Sequence, residues 1–369
     1  MKLVKKIKIN PNSNQKNIID FWFRRCKILY NVALEEKLYY YKATGGYLDG
    51  YKQKKELVEL KNEINSWKDV PNKSLQEIIM RLDNTYKQFF KGKGFPKFKS
   101  EISSIFFAKT DVRLKNNDLY LPKIKTNLSY EEQVPENYSS VRLVKEENLY
   151  FLVFNYEKNI TKKDFNKDIL GVDLGLESLY TDSNGKKVKR FSRKLIKKYN
   201  NRISDLNKSL STKKKGSKRR NKVKKQLNKT YNKLKNSKKD YLHKASKNLI
   251  SCKEDNIIIG DIKVQNIVNK NKSKKGLIKS FYNSSLTTFK EYIKYKGELY
   301  NKNVIFINES YTSKTCSGCH RLKEMKLNDR VYECEYCNNS IDRDENSAIN
   351  MKLLGSSSMN IYVYACSLE

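Results

Sequence analysis

Cys316-Ser317-Gly318-Cys319 and Cys334-Glu335-Tyr336-Cys337 form two C-x2-C pairs separated by fourteen residues. Each pair can fold into a tight knuckle that offers two thiolates to one tetrahedral Zn²⁺. Four thiolates complete the shell, so the spacing predicts a structural zinc site. Gly318 is expected to permit the first turn. His320 stands beside Cys319 but has no place in a full shell, and it reads as a surface residue. A second group of residues is acidic. Asp173 follows Ile169-Leu170-Gly171-Val172, Glu309 follows Val304-Ile305-Phe306-Ile307-Asn308, and Asp344 lies within Ile341-Asp342-Arg343-Asp344-Glu345-Asn346-Ser347-Ala348. Hard cations prefer oxygen ligands, and two of them about 3.5–4 Å apart can activate water and stabilise a leaving oxygen. Carboxylates at strand ends are what such a Mg²⁺ or Mn²⁺ pair requires. Each acid taken alone reads equally well as a helix cap or a solvated strand end. Hydrolysis by metal-bound water needs no Ser or Cys nucleophile. Neither His243 nor His320 sits in an acid-rich stretch.

The elements that must position these residues follow from periodicity. Residues 169–175 are an apolar strand ending in an acid and a glycine, with further strands expected at Leu179–Asp182 and Val188–Phe191. Ser192 to about Leu249 reads as two basic helices joined by 212–220. Asn256–Asp261 and Val304–Glu309 are two more buried strands, with a helix over Ser280–Tyr300 between them and a last helix over Glu345–Leu354. Strands alternating with helices around acidic strand ends imply an α/β core. The front of the chain differs. Leu3–Ile9 alternates as a strand, Pro11-Asn12-Ser13 breaks it, and helical patterns run over Ile18–Tyr41, Lys54–Leu60 and Leu75–Phe90. The period then returns to two at Ile105–Ala108, Asp118–Leu121, Ser140–Lys145 and Tyr150–Tyr156, so a helical insert sits between the strands of one β domain.

Lys and Arg number 77 against 40 Asp and Glu, a formal net charge of +37 spread along most of the chain. Self-repulsion on that scale opposes compaction, and a polyanion relieves it. The 25 Tyr and 15 Phe are interleaved with the cations. Aromatic faces stack on unpaired bases while Lys and Arg hold phosphates, so the partner expected from this chemistry is nucleic acid. The densest basic run is Lys213, Lys214, Lys215, Lys218, Arg219, Arg220, Lys222, Lys224 and Lys225, suited to a phosphate backbone. Any one of these could equally be a solvated helix position. The Gly92–Lys99 loop and the Tyr39–Tyr41 cluster are weaker candidates for such contacts. No apolar run approaches the ~18 residues of a membrane span, and the start lacks the apolar stretch of a secretory signal. An intracellular location, cytoplasm or nucleoid, is therefore expected (nucleus or virion for a eukaryotic or viral source), with the cysteines reduced and free for metal.

Gly171-Val172-Asp173-Leu174-Gly175, Tyr311-Thr312-Ser313-Lys314-Thr315-Cys316-Ser317-Gly318-Cys319 and Asp342-Arg343-Asp344-Glu345-Asn346-Ser347-Ala348 together resemble the RuvC-like half of TnpB (OrfB) proteins. These are encoded by insertion sequences and related to Fanzor proteins and type V CRISPR effectors. The resemblance covers about residues 165–355 by motif and the front half by organisation. It implies a multidomain α+β protein. A β-barrel-like wedge domain (1–10 and 96–162) would carry a helical recognition insert (11–95). An RNase H-like RuvC domain (163–309 and 341–369) would carry an inserted zinc ribbon (310–340). The implied activity is that of an RNA-guided DNA endonuclease. A guide RNA from the transposon end pairs with one strand of double-stranded target DNA, a short flanking motif is read, and one site cuts both strands.

By the same resemblance Asp173 is the first magnesium-binding acid and Asp344 the last. The middle acid departs from the usual pattern. Most members carry Glu-Asp on the second strand, where this chain has Gly260-Asp261. Successive strand residues point to opposite faces, so Asp261 should not simply replace the missing glutamate. Some members share Gly-Asp there and place a Glu just before the Thr-Ser-x-Thr-Cys run, which here is Glu309. The expected catalytic set is therefore Asp173, Glu309 and Asp344, with the Glu309 carboxylate in the space that Gly260 leaves. Asp261 is the alternative ligand or a supporting acid, and Asp342 a turn or cap residue. Two other readings stand beside this one: a guided DNA-binding repressor with a lost site, and an accessory transposase.

Overall fold

The computed structural model describes the chain except residues 116–117, 125, 131, 148, 161–164, 166–167, 264–274, 327–328 and 367–369, and the side chains at 115, 275, 277, 279, 281–282 and 357–366. The described chain divides into two units, Met1–Asn159 and Ile160–Glu369. Among the described residues no helix is long and apolar enough to cross a membrane.

In the first unit, β1 (Lys2–Ile9), β2 (Ser104–Ala108), β5 (Tyr138–Glu146) and β6 (Leu149–Glu157) form an antiparallel sheet in the order β1-β6-β5-β2. Alternation puts Ile7, Leu143 and Leu152 level on one face, all fully buried. A small hairpin, β3 (Arg113–Lys115) and β4 (Asp118–Tyr120), stands apart. The helical insert is α1 (Ser13–Thr44), α2 (Gly50–Glu63) and α3 (Asn72–Phe90). Helix α1 starts with a capping box in which Asn12 and Gln15 satisfy each other's backbone N–H. It ends at Gly45, whose φ of 65° is left-handed. Buried Lys37 and Asp83 pair at 3.1 Å between α1 and α3. The closed barrel expected for this domain is not present among the described residues, because the sheet stays open at β2. That strand's outer edge bonds to a helix rather than to another strand: Ser74 Oγ donates to Phe106 O at 2.6 Å and Arg81 to Ser104 O at 3.3 Å. Side chains of the helix thus occupy carbonyls that a further strand would use.

The second unit is built on β7 (Ile169–Leu174), β8 (Ser178–Asp182), β9 (Lys187–Lys189), β10 (Asn256–Gly260) and β11 (Asn303–Ile307), in the order β11-β10-β7-β8-β9. β7, β8 and β9 are an antiparallel meander, whereas β10 and β11 run parallel to β7. All five residues of β10 are buried, as a central strand covered on both faces requires. On one face Leu170, Val172, Ile257 and Ile259 pack with Leu242, Ala245 and Leu249 of α5 (Lys218–Ile250) and with Phe289 and Ile293. Helix α4 (Arg193–Ser211) folds back on α5 through Ile203, Leu206 and Leu227. The helix expected over Ser280–Tyr300 is two, α6 (Lys275–Ser284) and α7 (Leu286–Leu299), broken where Ser285 takes a left-handed φ of 57°. Phe191 lies outside β9 and packs on the Tyr241 ring instead, 5.8 Å between centroids.

The other face of the sheet is covered by the last helix, α8 (Arg343–Cys366), after a short hairpin of β12 (Val331–Glu333) and β13 (Ser340–Asp342). Glycines set how closely it packs. A Cβ on Gly171 would lie 2.0 Å from the Ala348 carbonyl oxygen, and one on Gly355 would lie 2.3 Å from Ile258 Cγ1. The obstacle at Gly171 is backbone and cannot rotate away. Gly171→Ala is therefore expected to cost about 3 kcal/mol by overpacking, read as a lower urea midpoint at unchanged slope. A midpoint equal to wild type would show that α8 does not press on β7.

Candidate catalytic site and zinc knuckle

Asp173 projects from β7 on the same face as Gly171, toward α8, where Ser347 Oγ donates to its Oδ1 at 3.1 Å. The pairing of β10 with β7 ends at Ile259 opposite Val172, so one residue further brings Gly260 level with Asp173. A Cβ on Gly260 would lie 2.8 Å from Glu309 Oε2 and 3.1 Å from Glu309 Cβ. The Glu309 side chain thus fills the space above Gly260. Strand β11 ends at Ile307, so Glu309 stands beyond the ladder, where its carbonyl accepts from Thr312 N at 3.3 Å and Thr312 Oγ1 at 2.8 Å. Asp344 occupies the first turn of α8 and is paired with Arg343 at 3.2 Å. Asp342 caps that helix, its Oδ1 accepting from the backbone N–H groups of Asp344 and Glu345. Asp261 is turned elsewhere and forms an ion pair with Lys290 of α7.

The electrostatics agree with this placement. Burial, reinforced by the charges of Asp344 and Glu309, pushes the Asp173 carboxyl up to about 8. Burial also lifts Glu309 to about 7, with Lys290 pulling down and Asp261 pushing up. The charges of Asp344 and Glu309 thus both bear on Asp173, with Arg343 and Lys290 the cations that oppose the shifts. Three oxygen contacts, Glu309 O with Thr312 Oγ1, Thr312 Oγ1 with Ser347 Oγ (2.9 Å), and Ser347 Oγ with Asp173 Oδ1, have only two hydroxyl protons between them. Thr312 Oγ1 donates one to Glu309 O and Ser347 Oγ donates the other to Asp173 Oδ1, so the two hydroxyl oxygens meet with no proton left between them. An aspartate that titrates at 3.8 unfolded and about 8 folded contributes stability fully below 3.8 and loses it as pH rises to 8. The melting temperature without added divalent cations is expected to fall across that range, and Asp173→Asn to flatten the fall. An equal fall in both proteins would show that Asp173 is not the titrating group.

The four thiols meet. Cys316 and Cys337 Sγ are 3.6 Å apart, Cys319 and Cys334 Sγ 3.5 Å, and all four lie within 4.8 Å of one another. A tetrahedral zinc with bonds of about 2.3 Å places its sulfurs about 3.8 Å apart, so the cluster fits that ion. Burial opposes ionisation of Cys316, but backbone N–H groups of Cys319 and Gly318 outweigh it and bring the thiol down to about 6. Gly318 is not required for the turn, since a Cβ there meets nothing nearer than 3.7 Å. The left-handed residues are His320 (φ 61°) and Asn338 (φ 57°), each directly after a C-x2-C pair. His320 is exposed. Among the described residues the four cysteines are the one group of three or more potential ligands that converges this tightly, and the carboxylates of Asp173, Glu309 and Asp344 do not.

Lys214, Lys215, Lys218, Arg219, Lys222, Lys224 and Lys225 are exposed at the α4–α5 turn. Two of the predicted cations point inward. Arg220 donates to the carbonyls of Leu210 and Lys213 and closes the end of α4, and Lys213 bonds back to Ser209. Residues whose roles were not legible are Thr312, Asn346, Ser347 and Asn350, all buried. Asn346 Nδ2 donates to Thr315 O at 2.7 Å while its Oδ1 accepts from Ser317 N at 2.9 Å. Asn350 Nδ2 reaches Thr312 O and Thr315 O at 2.8 and 2.7 Å. The available signal was Asn at i and i+4 on the inward face of a helix, where an apolar residue would be ordinary.

Comparison with known proteins gives three family matches. A helix-turn-helix domain of the IS605 OrfB type covers residues 1–46, the IS605 OrfB "Probable transposase" covers 144–271, and the "Cas12f1-like, TNB domain" covers 287–351. Here the first of these segments is a strand and one long helix. The protein named "Putative RNA-guided DNA endonuclease InsQ" of Escherichia coli K12 is 25% identical over 95% of this chain and 91% of its own length. "TnpB-like protein L79" of Acanthamoeba polyphaga mimivirus is 32% identical over 42% of this chain and 30% of its own. In fold the chain is similar to the protein of the Cas12f1-sgRNA-target DNA complex, with a TM-score of 0.54, 14% identity, and coverage of 92% of this chain and 83% of that one. With matched segments that span well over half of its residues, and relatives aligned along nearly all of it, the chain belongs to the TnpB/OrfB family.

Proposed function

We propose that the protein is an RNA-guided, metal-dependent DNA endonuclease that cuts both strands through one RuvC-type site formed by Asp173, Glu309 and Asp344. The observation that carries this is Glu309 filling the space above Gly260, level with Asp173. The sheet order, with a three-strand meander beside two parallel strands, supports the RuvC reading of residues 163–309 and 341–369. Residues 310–340 are the zinc knuckle, 11–95 the recognition insert, and 1–10 with 96–162 the wedge. The 162/163 boundary lies outside the described residues.

Crowded, undercharged carboxylates fit Mg²⁺ or Mn²⁺, which when bound would supply a water activated for attack on the scissile phosphate. The chain's own groups prepare the site. Ser347 holds one Asp173 oxygen, Oδ1, and so fixes the carboxylate's orientation. Arg343 steadies Asp344, and Lys290 pairs with Asp261 while its charge also reaches Glu309. The exposed cations of the α4–α5 turn would grip phosphates of guide or target without reading sequence.

Purification with co-expressed RNA, followed by incubation with a library of target duplexes and Mg²⁺, tests this reading. Cleavage of both strands, dependent on guide pairing and a short flanking motif, is expected. RNA-dependent DNA binding without cutting would instead make the protein a guided repressor.

A further inference from the structure

We infer that Thr312 is a positioning residue that transmits the geometry of the zinc knuckle to Glu309. This rests on the reading of Glu309 as a metal-holding carboxylate. Glu309 lies past the end of β11, so no ladder hydrogen bond sets its backbone; Thr312 does so, through both its N–H and its hydroxyl. Thr312 is itself fixed from two sides. Its carbonyl is held by Asn350, and its hydroxyl meets Ser347, which in turn bonds Asp173. Asn346 and Asn350 also share the Thr315 carbonyl, and Asn346 accepts from Ser317 N beside Cys316. The side chains of Thr312, Asn346, Ser347 and Asn350 are each at most 4% exposed. All three helix residues belong to α8, which carries Asp344 in its first turn.

The consequence is geometric. Residues 346, 347 and 350 of one helix hold the segment between Glu309 and Cys316, touch Asp173, and are covalently continuous with Asp344. The three acids therefore form one assembly whose alignment depends on the 309–317 segment keeping its shape, and Thr312 is where its bonds converge. Losing the hydroxyl leaves Glu309 held by the longer 3.3 Å N–H bond alone, while the cysteine shell, made of other residues, stays intact. Partners that orient metal-holding groups in this way typically change metal affinity or activity by 10–100-fold when removed.

The test compares Thr312→Val, Thr312→Ser and Glu309→Gln in the RNA-loaded protein. It measures zinc content, Mn²⁺ binding by electron paramagnetic resonance, and kcat and KM for target DNA. Thr312→Val is expected to keep its zinc, weaken Mn²⁺ binding roughly tenfold and lower kcat by a similar factor at unchanged KM; Thr312→Ser, which retains the hydroxyl, is expected to restore both. Thr312→Val that matches Thr312→Ser in Mn²⁺ binding overturns the inference. If Thr312→Val does not fold, Ser347→Ala removes the next contact and must produce the same weakening with zinc retained. Glu309→Gln separates the two readings. If it binds Mn²⁺ and cuts like wild type, the assignment of Glu309 fails. If it is inactive while Thr312→Val is normal, only the positioning role fails.

Discussion

Asp173→Ala and Glu309→Gln are each expected to reduce target cleavage by on the order of 10²–10³-fold or more with RNA-dependent DNA binding retained, whereas Asp261→Asn keeps most of the rate. The contrast follows from position. The charge of Glu309 helps to raise Asp173, whereas Asp261 is ion-paired with Lys290 and reaches the group only through its charge on Glu309. Gly260→Ala makes a sharper test. The new methyl would meet the ends of two flexible side chains, Glu309 Oε2 and Met351 Cε, both at 2.8 Å. Flexible ends can yield, so the fold should survive with a loss of about 1 kcal/mol or less. The displaced carboxylate cannot yield without consequence, since a shift of about 1 Å at a reacting centre costs up to roughly 10²-fold in rate. A stable, zinc-loaded Gly260→Ala protein that cuts at the wild-type rate would show that Glu309 is not part of the site.

Removal of zinc should have the second large effect. Glu309 stands seven residues before Cys316 and Asp344 seven after Cys337, so the knuckle closes the loop that joins two of the three acids. Structural zinc sites of this kind contribute apparent free energies of about 10–16 kcal/mol at neutral pH, far more than the few buried side chains here, Tyr332, Cys316 and Cys334, could supply alone. Cys334→Ser is expected to release zinc, expose the backbone of 310–342 to hydrogen exchange and abolish cleavage, while the first unit keeps its protection. Full cleavage by a zinc-free protein would separate the knuckle from the site.

Much of this was legible in the residues themselves. The cysteine spacing needs no tertiary information, because two short turns of chain suffice to bring each thiol pair together. The apolar runs around β7, β10 and β11 announced buried strands, since a central parallel strand must be apolar on both faces. Set against the Glu-Asp pattern that the resemblance implies, Gly260-Asp261 pointed to a carboxylate from elsewhere, because alternation along a strand turns Asp261 to the other face. Local pattern was less reliable where a competing group intervened. The front sheet was expected to close, but side chains of α3 take the free edge of β2. Gly318 was expected to make the knuckle turn, which the following residues make instead.

The amino-acid sequence by itself determined the four-cysteine cluster, the strand that carries Asp173, the helix start that carries Asp344, and the excess of cations. These depend on covalent spacing or on composition. Only the tertiary structure decided that Glu309 lies over Gly260, and that Thr312, Ser347 and Asn350 tie it to α8. Those meetings depend on how near α8 comes to the sheet. That distance is set by absent side chains at Gly171 and Gly355, and an absent atom shows its effect only when its neighbours are in place.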